Sequence, residues 1–214
     1  MTTRPFADDA LNLITALLDA PERAAELVRS LVAHPSAEVR MRALEALIDV
    51  ERPETVTRAA QALSDPDATV RVAAIELLTA QGREEHTQTI WRLAVSDPDP
   101  HVREQALLNL SALNGPLDVD ELVELAKNTT GAHQVAAANL LCARGHREWL
   151  LPLLEGLYDP DYLTRAMTLT VLEDRIESQE RPFVRRLLVE RHTAEDLPAV
   201  RALIETLVGE WSEG

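Results

Sequence analysis

The sequence predicts an all-α fold: a right-handed α-solenoid of about six helix-turn-helix repeats, with an extra helix at its N-terminal end. Three observations predict it. The dipeptide Val-Arg recurs at Val39-Arg40, Val70-Arg71 and Val102-Arg103, at spacings of 31 and 32 residues. Each arginine stands six residues after the start of a polar turn, His34-Pro35-Ser36, Asp65-Pro66-Asp67 or Asp97-Pro98-Asp99. From each valine, apolar or small residues return four, seven and eight positions on, as at Val70, Ala74, Leu77 and Leu78, which is one face of a helix. Repetition at this period marks stacked units, because one thin hairpin cannot bury its own apolar stripe.

The elements follow in order. Residues 1–5 are expected to be disordered, 6–20 to form a capping helix, 21–208 to hold the repeats and 209–214 to be a tail, all in one domain of 214 residues. Within a unit, a first helix (55–63, 84–95 or 118–127) leads through the turn into a second helix that opens on Val-Arg. The Asp-Pro start suits a helix entrance, with Asp65 able to cap a free N–H, Pro66 lacking one, and Asp67 at the positive end of the macrodipole. Residues 128–134 and 158–165 give weaker fourth and fifth units that keep the 31-residue step, and a sixth ends in Val200-Arg201. Ala43, Ala74, Ala106 and Ala137 share one central position, where small side chains let helices approach to about 8 Å. Thr168 and Ile204 break that rule, which predicts looser or re-angled packing in the last two units. In the fourth unit Asn128-Thr129-Thr130-Gly131 replaces the Asp-Pro turn, and Gly131 frees the backbone for a bend or a local soft spot.

These turns and Val-Arg openings resemble the HEAT-repeat family, in particular the short HEAT-like repeats named after phycobilisome lyases, over residues 21–208. The resemblance implies a ladder between units built from the turn acid and the arginine six positions later: Asp65 with Arg71, Asp97 with Arg103, Asp159 with Arg165, and Glu195 with Arg201 as a variant. His34 in the first unit, and Asn128 with Gln134 in the fourth, depart from that pattern. If exposed, such pairs contribute only about 0–1 kcal/mol each and position more than they stabilise. In a stack of this kind the second helices line the concave side, and the wheel places the residues two, six and nine after each valine farthest from the buried stripe. From these positions come Met41, Glu45, Val72, Glu76, Glu104, Leu108, Val135 and Asn139 as partner-binding residues, with no lysine or arginine among them.

Composition narrows the function. A net charge of −15 repels phosphate, and no basic patch stands out, so neither nucleic-acid binding nor a glycosylase of similar fold is expected. The same acidity with a single lysine, Lys127, is what a salt-adapted or high-GC host would also produce. No apolar run is long enough to cross a bilayer and the start lacks a secretory signal, so a cytoplasmic protein without a membrane partner is expected. The one cysteine, Cys142, excludes an internal disulfide and reads as a packing residue. Asp65, Asp67, Thr69 and Glu76 fall at calcium-loop positions, but Val70 stands where that loop needs glycine. The six histidines are dispersed and none precedes a glutamate, so no metal, cofactor or catalytic residue is expected. Trp91, Trp149 and Trp211 read as packing or end-capping residues.

The resulting expectation is a non-enzymatic scaffold or adaptor, monomeric when free, that binds a basic or partly apolar segment of another protein on a concave acidic face. Two alternatives stay open: an acidic inhibitor, such as an immunity protein or nucleic-acid mimic, of a basic toxin or nuclease, and a phycobilin lyase-like subunit suggested by the resemblance.

Overall fold

The computed structural model describes residues 30–211. The expected capping helix at 6–20, the disordered start and residues 212–214 lie outside the described residues. Eleven α-helices and no strand occur among the described residues, and the chain divides into two compact units, Met1–Leu117 and Asp118–Gly214.

The first unit contains α1 (Ala37–Ala46), α2 (Pro53–Ala62), α3 (Ala68–Ala80), α4 (Thr87–Ser96) and α5 (Pro100–Leu110), with a 3-10 turn at Glu84–His86 leading into α4. α2 packs on α3, α4 packs on α5, and α3 lies between α1 and α5. The second helices are therefore neighbours, as the repeat requires. At their crossing points Ala43, Ala74 and Ala106 are fully buried, flanked by Val39, Val70 and Val102 and by Leu44, Ile75 and Leu107. Small side chains at the centre and branched ones beside them let the helices approach while filling the space between.

The helix entrances divide their labour differently from the sequence expectation. Asp67, not Asp65, is the N-cap of α3, accepting from the Thr69 N–H at 2.9 Å, and Asp99 caps α5 through the His101 N–H at 2.8 Å. Asp65 sits two residues earlier and holds the turn itself by accepting the Asp67 N–H. Pro66 consequently lies before the cap, whereas Pro100 occupies the first helical turn, where its missing N–H costs nothing.

The second unit contains α6 (Val119–Asn128), α7 (Ala132–Ala143), α8 (Leu150–Glu155), α9 (Tyr162–Arg175), α10 (Arg181–Ala194) and α11 (Pro198–Glu210), with 3-10 turns at Arg147–Trp149 and Gly156–Tyr158 on either side of α8. α7 packs against α6, α8 and α9; α9 packs against α11; and α11 pairs with α10. Their core joins Val135, Ala138, Leu153, Leu169, Leu172, Val184, Leu188 and Ile204, with Trp149 and Trp211 packed against it. Gly131 enters α7 at φ 61°, a left-handed conformation that glycine adopts at no steric cost.

Thr168 does not loosen the packing as expected. It is fully buried, its hydroxyl donates to the Thr164 carbonyl at 2.8 Å, and the small residue has moved across the contact to Gly156. A Cβ on Gly156 would lie 2.2 Å from Thr168 Oγ1 and 2.6 Å from Val135 Cγ2, so the close approach is kept with the partners' sizes exchanged.

A candidate interaction face and the ladder beneath it

The surface of a helical stack is only as defined as the spacing of its helices, and here side-chain hydrogen bonds fix that spacing. Arg40, Arg71 and Arg165 make the same set of bonds. Each Nη1 turns back to the carbonyls of its own turn: His34 and Pro35, Asp65 and Pro66, or Asp159 and Pro160. Each Nε and Nη2 reaches forward to both carboxylate oxygens of the next turn: Asp65 at 2.8 and 2.7 Å, Asp97 at 2.8 and 2.7 Å, and Glu195 at 2.8 and 2.9 Å. The pairs implied by the resemblance are thus half right. Within a unit the arginine meets the backbone of its acid, and the carboxylate belongs to the following unit.

Geometry also changes the energetics. The side chains of Arg71 and Asp97 are 9% and 2% exposed, so this rung is buried and removing one partner costs about 3–5 kcal/mol rather than the fraction typical of surface pairs. Glu195 is held low: Arg165 donates two bonds to it, Arg191 adds a third at 2.8 Å, and its carboxyl is drawn from 4.5 to about 2. The Arg165 hydrogen bond is the main cause, against the opposing effect of burial.

Two ladder arginines lack a carboxylate among the described residues. Arg103 keeps its Nη1 on the carbonyls of Asp97 and Pro98, and the acid position of the fourth turn is Asn128. Arg201 has turned inward, with Nε on the Glu195 carbonyl at 3.1 Å and Nη2 on that of Asp196 at 3.4 Å. Asp159 is the converse case: Gln134 stands where its arginine would be, and among the described residues the one side-chain bond at its carboxylate is from the Asp161 N–H, at 2.8 Å.

On this frame the solvent-facing side of α1, α3 and α5 presents Met41, Glu45, Val72, Glu76, Glu104 and Leu108, all at least partly exposed. Glu45 forms an exposed ion pair with Arg42 at 2.9 Å, of a kind that contributes little. Glu76 makes no hydrogen bond or ion pair among the described residues. Burial pushes its carboxyl up, the neighbouring Glu45 adds to the effect and His101 opposes it.

Val135 and Asn139 do not belong to this face. Both are 2% exposed, in the core of the second unit, where the Gly156 turn packs on Val135 and Arg175 lies on Asn139. Asn139 instead accepts from Arg175 Nε at 2.8 Å, tying α7 to the end of α9. Arg147 continues that network to the Arg175 carbonyl and Glu180. The wheel alone could not have revealed this, since it marks the side away from one stripe and not which turn or side chain of another element covers that side.

Cys142 is buried, and desolvation raises its thiol to about 11, which makes it a packing group and not a nucleophile. Among the described residues no group of three or more His, Cys, Asp or Glu side chains could hold a metal ion. No helix among them is long and apolar enough to cross a membrane.

Comparison with known proteins agrees with the repeat architecture. The sequence model of the family described as HEAT repeats matches residues 56–133. No curated protein matches the chain. Among solved structures, the archaeal HEAT-like repeats protein of Thermococcus onnurineus NA1 is similar, at 18% identity over 100% of this chain and 98% of that one, with a TM-score of 0.48. Over residues 56–133, which hold two of the Asp-Pro-Asp turns and two of the Val-Arg openings, the chain is similar to HEAT repeats.

Proposed function

We propose that the protein is a non-enzymatic scaffold, and that the α1–α3–α5 face of its first unit receives a basic, partly apolar segment of another protein. The supporting observation is the alternation on neighbouring helices of Met41, Val72 and Leu108 with Glu45, Glu76 and Glu104. Glu76 carries the reading furthest, because a half-buried carboxylate with no hydrogen bond or ion pair among the described residues is costly to leave uncompensated. An arginine or lysine laid between Glu45 and Glu76 relieves their mutual repulsion, while apolar side chains beside it cover Met41 and Val72 and slow release. Scaffolding also suits a repeat whose rungs hold its helices at fixed spacing, since a preordered surface loses little entropy on binding.

Fluorescently labelled synthetic peptides that alternate arginine with leucine, and control peptides that alternate glutamate with leucine, test this by anisotropy titration at low and high salt. The basic peptide should bind the full chain, and Glu45→Lys, Glu76→Lys and Glu104→Lys together should weaken it by at least tenfold, about 1.4 kcal/mol. Equal binding of both peptides, or a triple variant that binds as before, removes this face. Binding that disappears at high salt and ignores replacement of Met41, Val72 and Leu108 by serine redirects the reading to an acidic inhibitor of a basic toxin or nuclease.

A further inference from the structure

A second surface, of opposite chemistry, lies on the α10–α11 hairpin. Between these helices is a hollow of about 230 Å³ lined by Val189, His192, Thr193, Ile204, Glu205 and Val208. Arg201, Glu205 and Val208 fall at i, i+4 and i+7 of α11, so the hollow continues the stripe that starts at the last ladder arginine. In α1, α3 and α9 the equivalent stripes are Arg40-Leu44-Leu47, Arg71-Ile75-Leu78 and Arg165-Leu169-Leu172, where the arginine takes a carboxylate and the two apolar residues are at most 1% exposed. Among the described residues the stripe on α11 is uncovered: Arg201 bonds only to its own turn, and Glu205 is exposed and paired with His192 at 2.8 Å. Val189 on the opposite wall is 46% exposed, and one turn before it Arg186 is exposed with no hydrogen bond or ion pair among the described residues.

We propose that this groove docks an acidic amphipathic helix of another protein. A carboxylate of that helix takes Nη1 of Arg201, the nitrogen that the Glu195 and Asp196 carbonyls leave without a bond among the described residues, a second meets Arg186, and an apolar side chain between them enters the hollow over Val189, Ile204 and Val208. The three completed rungs establish what an arginine at this position binds, and charge complementarity sets the sign of the guest. The Glu205–His192 pair calls for a polar guest residue at this point of the groove. The guest is therefore polar at the one point where the internal rungs are apolar.

The probe is a lactam-stapled, fluorescein-labelled helical peptide with glutamates at both ends of a leucine stripe, titrated by anisotropy against the full chain; its charge-inverted form carries lysines instead. The acidic peptide should bind, and Arg201→Gln and Arg186→Glu should each weaken it by about tenfold, the loss expected for a charge-assisted hydrogen bond. Arg186→Glu removes no contact within the fold, so its effect does not depend on stability. Glu45→Lys with Glu76→Lys should leave this binding unchanged, which separates it from the face on α1, α3 and α5. Absence of binding, preference for the lysine form, or indifference to both arginine variants overturns the proposal. A dimer in sedimentation equilibrium that Arg201→Gln dissociates also overturns it, by making the guest a second copy of this chain.

Discussion

Protonating Glu195 should cost the second unit about 3 kcal/mol, and the loss should follow a defined pH window. Its side chain is fully buried and accepts four hydrogen bonds: two from Arg165, one from Arg191 and one from the Leu197 N–H at 3.1 Å. These donors favour the carboxylate and hold its pKa at about 2, against 4.5 when unperturbed. The difference, at 1.36 kcal/mol per pH unit, gives about 3 kcal/mol of linked stability. Because the folded-state value is depressed, this contribution is complete above about pH 4.5 and is lost as pH falls from there through about pH 2. Glu195→Gln removes the charge at every pH and leaves Arg165 and Arg191 without a counter-ion, so it should destabilise by about 3–5 kcal/mol at pH 7. Urea unfolding followed by the fluorescence of Trp149 and Trp211, in a Trp91→Phe background that silences the first unit, reads this directly. By pH 3 the parent has lost about two-thirds of the linked stability, so its gap over Glu195→Gln should narrow to roughly 1 kcal/mol. A gap that is equal at both pH values, or below about 1 kcal/mol at pH 7, refutes the assignment of the stability to this rung.

Asp97→Asn should destabilise the first unit by about 3–5 kcal/mol, read by Trp91 fluorescence in urea, because it breaks a bidentate pair with the buried Arg71. Asp159→Asn keeps an oxygen that accepts the Asp161 N–H and breaks no ion pair among the described residues, so it should cost less than about 1 kcal/mol; equal costs at the two sites would show that the rung contributes nothing beyond the turn. Gly156→Ala should lower stability by about 1–3 kcal/mol in a thermal melt, since its Cβ would meet both Thr168 and Val135, and an unchanged midpoint would mean that this contact yields freely.

Much of the fold is legible because it is written three times. Val39, Val70 and Val102, with their alanines at plus four, repeat in step, and the stripe they mark is the buried one. The partner of each arginine was harder to read. Residues six apart in sequence invite pairing, yet a helix carries Arg71 away from the Asp65 carboxylate and toward Asp97, 26 residues on, and only the packing of α3 beside α5 shows it. The face was legible in part for a similar reason. Met41, Glu45, Val72 and Glu76 keep an open side, whereas Val135 and Asn139, in the same register on α7, are covered by the Gly156 turn and by Arg175. The four arginines of α10 escaped a search for basic patches because the acidity of the whole chain masks a single helix. The exposed Val189 beside them was not a signal on its own, since isolated surface apolar residues are ordinary.

The turn acid performs two tasks that the structure separates. One is local: accepting the N–H two residues on, which His34 does with Nδ1 at 3.1 Å, Asp65, Asp97 and Asp159 do with Oδ1, and Glu195 does with Oε1. Any acceptor of suitable length suffices, which is why histidine is tolerated there. The other task, binding the arginine of the preceding unit, requires a carboxylate and an arginine 25 to 30 residues earlier, and Asp159 lacks only the arginine. Gln134 stands 25 residues before it, the same interval as Arg40 to Asp65, and Asp159 Oδ2 lies 3.9 Å from the Cβ position of Gly131 at the mouth of α7. Gln134→Arg should therefore create a rung. The charge-assisted bonds should add about 1–2 kcal/mol once the cost of ordering the new side chain is subtracted. In a double-mutant cycle with Asp159→Asn, urea unfolding at pH 7 should give a coupling of at least about 1 kcal/mol between positions 134 and 159. A coupling near zero would mean that the left-handed entry at Gly131 points α7 away from the acid, and that the turn, not the missing arginine, is what interrupts the ladder.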